Sequence, residues 1–133
     1  GADETSPEVV AIIRDAPCRP QFHVEGATAE YRFCPAGFNL YFSNRALSTI
    51  YLFTQRYTPS AAVVYQPFAG APVEGLSPAA TRQEIRAFMG EPDSARGDGP
   101  GGWVVYDYPE HSVMFSFDSS GRTAMVGIRA RKK

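Results

Sequence analysis

The residues best suited to nucleophilic or acid–base chemistry are few and widely spaced. The chain has two histidines, His23 and His111, and two cysteines, Cys18 and Cys34. A nucleophilic cysteine needs a histidine as its base and a third group that orients the histidine. Cys34 with His23 is a candidate pair, but Cys34 falls in a predicted strand and has Cys18 as a candidate disulfide partner. We therefore predict no catalytic residue and a protein that is not an enzyme.

The acidic residues of the second half give no clear pair of catalytic carboxylates. Asp107, Glu110 and Asp118 lie in predicted strand ends and turns, where carboxylates are usually solvated, and Asp118 opens the turn sequence DSSG. Neither histidine has a second ligand at metal-binding spacing. We predict no metal and no cofactor. A hydrolase with a site at His111 and Asp107 is the least favoured alternative.

Composition and charge narrow the range of functions. The chain has 133 residues, of which 44% are hydrophobic and 20% charged, which is typical of one folded domain. Its net charge of −1 lacks the basic excess with which nucleic-acid-binding proteins displace counterions. No apolar run is long enough to span a bilayer. We expect neither a nucleic-acid partner nor a transmembrane segment.

The two cysteines bear on the compartment. A disulfide between Cys18 and Cys34 would close a loop of about 15 residues and stabilise the fold by roughly 3 kcal/mol. Such a bond favours a periplasmic or secreted protein, because disulfides persist in oxidising compartments. Two free thiols in a cytoplasmic protein are the alternative.

The chain shows an internal repeat with an offset of 75 positions. The matched pairs include Ser6 and Thr81, Val10 and Ile85, Pro17 and Pro92, Tyr31 and Tyr106, Leu40 and Phe115, and Phe42 and Phe117. We predict one domain over 1–133, built of repeat one (6–53), a connection (54–76) and repeat two (77–130). A unit of this size buries too little surface alone, so the two must share a core.

Each repeat is predicted to contain a helix and a three-stranded meander. The first helix opens at Ser6, and the second has a capping box of Thr81 with Glu84 and ends at Gly90. Alternating apolar residues predict strands near 29–34, 38–43 and 48–53 and a meander over 103–128. Residues 18–28 and 93–102 are predicted loops, and 61–65 a short extra strand. The predicted fold is α+β, with one antiparallel sheet (or two abutting sheets) and both helices on one face.

The sheet face turned away from the predicted helices has an unusual composition. It carries Arg32, Asn39, Tyr41, Thr49, Tyr51, Phe53, Trp103, Val105, Asp107, Met114, Ser116 and Met125. A sheet covered on one side only should be polar on its free side. Aromatic residues, Met and Arg are instead enriched at binding hot spots. Cover by a loop, by the 54–76 connection or by a second copy of the chain is the alternative explanation.

Short motifs resemble known bacterial families. Gly75-Leu76-Ser77 and the run EIRAFMGEP (84–92) resemble the G-x-S, E-V and L-G-x-P pattern of SmpA/OmlA-type modules of envelope lipoproteins, with Phe88-Met89 in place of the usual leucines. Two such units in tandem resemble the β-lactamase-inhibitor-protein (BLIP-like) architecture. That resemblance implies one concave sheet that grips an enzyme. Residues 37–42 and 47–52 are also similar to two-unit bacterial proteins that we associate with immunity-like or inhibitory roles.

We predict a non-enzymatic module that binds a protein partner, such as an enzyme or toxin, through the open face. The predicted contact residues are Arg32, Tyr41, Tyr51, Phe53, Trp103, Asp107 and Met114. A homodimer through the same face is a form of the alternative explanation, in which a second copy of the chain covers the face. The alternatives are a small-ligand-binding protein and an envelope scaffold module.

Overall fold

The computed structural model describes residues 18–60, 63–97 and 102–130, together with Pro7 and Arg14. The first half forms β1 (Gln21–Glu25), β2 (Thr28–Phe33), a 3-10 turn (Cys34–Ala36), β3 (Phe38–Ser43) and β4 (Ala46–Phe53). A short hairpin follows, made of β5 (Tyr57–Ser60) and β6 (Val63–Tyr65). The second half forms α1 (Arg82–Met89), β7 (Ser94–Arg96), β8 (Trp103–Asp107), β9 (His111–Phe117) and β10 (Thr123–Ala130).

Eight of these strands form one antiparallel sheet in the order β1-β2-β3-β4-β10-β9-β8-β7. The last strand of each half, β4 and β10, pair at the centre, so each half supplies four neighbouring strands. Strand β2 begins at Thr28 and β8 at Trp103, which are 75 positions apart (103 − 28). Strands β5 and β6 pair only with each other.

The predicted α+β fold with helices on one face is wrong, because the described chain is mostly β-strand. The predicted meander over 103–128 is present as β8, β9 and β10. The predicted loops 18–28 and 93–102 contain the edge strands β1 and β7, and the connection contains β5 and β6. The first predicted helix lies outside the described residues, apart from Pro7 and Arg14, which are both helical.

Helix α1 begins and ends where its sequence signals predict. Thr81 Oγ1 accepts the Glu84 N–H at 3.2 Å, and Glu84 Oε1 accepts the Thr81 N–H at 3.1 Å, which completes the capping box. Gly90 ends the helix with a positive φ of +89°, which favours glycine, but its ψ of −167° lies outside the left-handed helical region. Ile85 is fully buried, whereas Phe88 is 52% exposed and lies outside the core face of the helix.

The core lies between one side of the sheet and the layer formed by α1 and the segment that precedes it. The buried cluster of the second half consists of Leu76, Ala80, Ile85, Val104, Tyr106, Val113, Phe115, Phe117 and Val126. The first half contributes Ala29, Phe33, Leu40 and Phe42 to the same side of the sheet. Alternate residues along each strand point to opposite sides, so the residues between these core positions form the other side, here named the open face.

The connection between halves passes around one end of the sheet. Tyr65 packs on the open face against Phe53, while Val73 and Leu76 pack in the core on the other side. The crossing chain lies against Gly37, which is left-handed with φ +78°. A Cβ at Gly37 would collide with the Gln66 carbonyl oxygen and would lie 2.5 Å from the Phe68 backbone nitrogen. Glycine is therefore required for this close approach.

Candidate functional site

The open face carries an apolar row across the junction of the two halves. Strand register places Tyr51 opposite Gly127, Gly127 opposite Met114, and Met114 opposite Val105. All three side chains in this row are half-buried and none is charged. The Tyr51 ring and the Met114 methyl both lie close to Gly127. A Cβ placed on Gly127 would be 3.5 Å from two Tyr51 ring carbons and 3.6 Å from the Met114 methyl. The row is thus a continuous apolar strip over four strands.

A second row on one side of this strip is also mainly apolar. It runs from Phe53 through Met125 and Ser116 to Trp103. On the other side lies a polar row, which runs from Thr49 through Arg129 and Ser112 to Asp107. Arg129 and Asp107 are exposed. The centre of the face is therefore apolar, and one of its borders is charged.

The β5–β6 hairpin covers one part of the open face. Phe53 is 5% exposed, stacks on Tyr57 with 5.0 Å between ring centroids, and contacts Tyr65 at 4.3 Å. Phe53 is therefore not available to a protein partner, and its prediction as a contact residue is wrong. At this position the alternative explanation, cover by the 54–76 connection, is the correct one. Trp103 and Met114 are not among the residues that pack against the hairpin.

A polar cluster lies beside the hairpin. The Arg32 Nε pairs with Glu30 Oε1, and the Asn39 amide donates to Glu30 Oε2 and to the Tyr65 hydroxyl, each at 3.3 Å. The hydrogen bond to Glu30 raises the pKa of Arg32, and burial raises the pKa of Tyr65 to about 12. Asn39 is 5% exposed, and its Oδ1 has no hydrogen-bond partner in the described part of the chain.

The seven predicted contact residues divide into three places. Arg32, Tyr51 and Phe53 lie beside the hairpin, where they line a cleft. Trp103 and Met114 lie on the uncovered strip. Tyr41 and Asp107 lie on the border, with Tyr41 opposite both Glu30 and Thr49. The structure therefore distributes the predicted residues over three parts of the open face rather than gathering them at one site.

Sequence reasoning missed the residues of the hairpin. Tyr57 and Tyr65 both pack on Phe53, yet only 61–65 was predicted as a strand, and no contact role was predicted for either tyrosine. The partner strand YTPS contains a proline, which is unfavourable in a central strand and hides the pairing. The paired aromatic positions Tyr57 and Tyr65 are the signal that would have indicated a hairpin.

The alternative catalytic sites are not assembled. Asp107 belongs to the open face, whereas His111 lies two residues before the core residue Val113 and therefore shares the core side of the sheet. His111 stacks on Tyr108 at 5.1 Å. No group of three metal-ligating side chains occurs in the described residues. The structure thus gives no support to a hydrolase with His111 and Asp107.

The predicted disulfide is absent from the structure, since Cys18 and Cys34 are both free thiols. Cys34 is buried, and this burial raises its pKa. A raised pKa lowers the thiolate fraction, and the thiolate is the reactive form. Cys34 is therefore an inert thiol rather than a nucleophile.

In the described residues, no helix has both the length and the apolar character needed to cross a bilayer.

The fold has a counterpart among solved structures. The chain is similar to a DUF4309 family protein, YjgB, from Bacillus subtilis. The likeness covers 98% of this chain and 81% of that chain, with a TM-score of 0.53 and 15% sequence identity. At this identity the likeness shows a shared fold and carries no statement about function. No protein-family model and no curated protein matches the chain.

Proposed function

We propose that this chain is a non-enzymatic binding protein that holds a protein partner on the open face of its sheet. Inhibitor or immunity protein is the sharper form of the proposal. The observation that supports it is the apolar strip of Tyr51, Gly127, Met114 and Val105, extended by Trp103 and bordered by the charged residues of the polar row.

The composition of the strip favours a partner over solvent. A free face of an antiparallel sheet is normally polar, because each strand alternates apolar and polar residues. Here Trp103, Val105 and Met114 are half-buried on the face opposite the core. An apolar centre with a charged border is the arrangement found in protein interfaces, and Trp and Tyr are the usual hot-spot residues.

The size and rigidity of the face also suit a protein partner. Eight strands at about 4.8 Å spacing span about 34 Å, and the eight-residue strands β4 and β10 are about 26 Å long. Such a face matches the roughly 800 Å² that each partner buries in an interface of standard size. The paired strands hold the side chains in place before binding, which reduces the entropic cost of association.

The resemblance of 75–92 to SmpA/OmlA-type modules, and of the tandem units to the BLIP-like architecture, supports the same proposal. In that architecture the sheet grips an enzyme. The experiment below does not depend on the resemblance.

Photo-crosslinking from the face tests the proposal. Benzoylphenylalanine placed at Trp103 should capture a specific protein from an extract of the native cells. The matched control places it at Phe88, which is 52% exposed on α1 on the other side of the sheet. The same captured protein should be absent from the Phe88 sample.

Three outcomes would contradict the proposal. Equal capture from both positions would indicate nonspecific labelling. No capture from Trp103 would leave the face without a partner in the cell. An adduct between two copies of the chain would show that a second copy, rather than another protein, covers the face.

A further inference from the structure

A second binding feature lies on the same face, in the cleft between the sheet and the β5–β6 hairpin. The cleft has a volume of about 400 Å³. This is within the range of roughly 300–1,000 Å³ that holds small molecules. Strands β2, β3, β4 and β10 form its floor, and the hairpin forms one wall. Tyr51 lines the cleft and also begins the strip proposed above as the protein-binding surface, whereas Trp103 and Met114 do not line the cleft, so the two features adjoin at Tyr51 without coinciding.

The walls of the cleft are aromatic and apolar. Phe53 and Tyr57 lie parallel, with 14° between their planes, and Met125 packs on the same cluster. Flat aromatic walls favour a flat ring, because offset stacking of aromatic rings adds attraction beyond the burial of area. Tyr57 is 47% exposed, so the ring cluster is open to a ligand from solvent.

The polar end of the cleft has no net charge. Arg32 is already paired with Glu30, so a charged ligand would be attracted by one of these two side chains and repelled by the other. The groups that remain comprise both donors and acceptors. The terminal amino groups of Arg32 carry no hydrogen bond within the described residues, and the Tyr65 hydroxyl accepts from Asn39, which leaves its proton for another acceptor.

Asn39 supplies the unused acceptor. Its amide nitrogen is directed to the Glu30 carboxylate, which can only accept, and this fixes the orientation of the amide. Its Oδ1 is consequently left without a partner, although Asn39 is 5% exposed. A buried polar atom without a hydrogen bond is destabilising, and a bound donor would remove that cost.

We propose that this cleft binds a small, neutral, planar ring compound that carries a carbonyl and an adjacent N–H on its rim, the pattern of an aromatic lactam or amide. The carbonyl accepts from Arg32 or the Tyr65 hydroxyl, and the N–H donates to Asn39 Oδ1 or Glu30. The ring lies against Tyr57, the exposed member of the aromatic cluster, and against Met125. The Tyr65 hydroxyl is a donor at neutral pH, as an ordinary tyrosine is, and burial raises its pKa further, to about 12.

Methyl NMR of the three methionines tests the site with matched probes. Met125 lines the cleft, whereas Met89 packs against the core on the other side of the sheet. The probes share one ring system: 2-quinolone carries the carbonyl and N–H, quinoline lacks both, and quinoline-2-carboxylate is charged. We expect 2-quinolone to shift the Met125 methyl saturably and to bind more tightly than the other two probes, with Met89 unchanged.

Two tyrosine variants separate the polar end from general packing. Tyr65→Phe removes one donor and keeps the wall, and it should weaken 2-quinolone binding by about three- to tenfold. Tyr41→Phe removes a hydroxyl on the same face outside the cleft and should leave binding unchanged. An unchanged Met89 signal reports that each variant is folded.

Several results would overturn the inference. They are the absence of a saturable Met125 shift up to the solubility limit of 2-quinolone, equal binding of quinoline, tighter binding of the carboxylate, and equal effects of the two tyrosine variants. None of these results depends on whether the strip at Trp103 and Met114 binds a protein.

Discussion

Replacement of Gly37 by alanine tests how the connection is held against the sheet. Gly37 is left-handed, with φ +78° and ψ +27°. The three atoms nearest to a Cβ placed there are backbone atoms, the Gln66 carbonyl oxygen and the nitrogen and Cα of Phe68. Because backbone atoms cannot rotate away as a flexible side chain can, residues 66–68 must move.

The cost of this movement can be worked from the contacts that it breaks. The Gln66 N–H donates to the Cys34 carbonyl at 2.9 Å, and the Phe68 N–H donates to the Phe53 carbonyl at 2.7 Å. Each bond contributes about 1 kcal/mol. The left-handed conformation of the new alanine costs about 1 kcal/mol more, and the edge contact between Phe38 and Phe68 is weakened. We expect Gly37→Ala to lower the free energy of unfolding by about 3 to 4 kcal/mol.

Gly121→Ala is the matched control for Gly37→Ala. Gly121 also has a positive φ, +84°, but nothing lies within 4 Å of a Cβ placed there. It should lose only the conformational term, about 1 kcal/mol. Urea denaturation of both variants measures the difference, and hydrogen exchange should show faster exchange of the Gln66 and Phe68 amides in Gly37→Ala. If the two variants lose the same stability, the close approach of the connection to Gly37 is wrong.

Three further predictions concern a turn, a cap and a buried tyrosine. Asn44 and Arg45 both have positive φ, 50° and 68°, in the two-residue β3–β4 turn. Arg45→Gly should therefore raise the free energy of unfolding by about 1 kcal/mol, which appears as a higher urea midpoint. A lower midpoint would contradict the backbone strain at Arg45. Thr81→Ala removes the capping box of α1 and should cost about 1 kcal/mol, measured in the same way, and an unchanged midpoint would show that the cap contributes nothing. Burial raises the pKa of Tyr65 from 10.0 to about 12, so the folded state favours the neutral phenol; this stabilisation is complete below pH 10.0 and is lost as the pH rises to about 12. The stability of the wild type should thus fall relative to Tyr65→Phe across that pH window, and parallel curves would contradict the shift.

The elements that were predicted correctly have strong local signals. Helix α1 has its capping box and terminal glycine within ten residues, and the meander alternates apolar and polar residues over each strand. Helix caps and alternation act between near neighbours in the chain, so the sequence alone contains them.

Two edge strands were missed. Strand β1 (QFHVE) alternates Phe22 and Val24 with polar residues, which is a strand pattern, but the run was predicted as part of a loop; all five residues are exposed, and the strand pairs on one side only, with β2. Strand β7 has three residues and is likewise an edge strand. The strand character of β7 comes from the neighbouring strand β8 rather than from its own residues, and this is why a loop was predicted there.

The composition of the open face was predicted, whereas cover by the 54–76 connection was only the alternative explanation and Phe53 was predicted to contact a partner. Phe53 reads as an exposed aromatic residue in β4 because its alternation places it on the free side of the sheet. Its burial follows from the path of the connection, which the close approach at Gly37 and the aromatic contacts of Tyr57 and Tyr65 determine. The contacts of Gly37 with Gln66 and Phe68, and of Phe53 with Tyr65, join residues 12 or more positions apart and leave no local pattern.

The central claim is tested most directly with the protein that is captured by crosslinking at Trp103. Its affinity is measured for two lysine variants of this chain. Met114→Lys places a charge in the middle of the apolar strip, and Gln83→Lys places the same charge on the exposed surface of α1. We predict that Met114→Lys weakens binding by about 30-fold or more, the effect of a hot-spot residue, while its free energy of unfolding stays within about 0.5 kcal/mol of the wild type. Gln83→Lys should bind as the wild type does. Equal affinity of both variants for the captured protein would contradict the claim that the open face of the sheet is the binding surface.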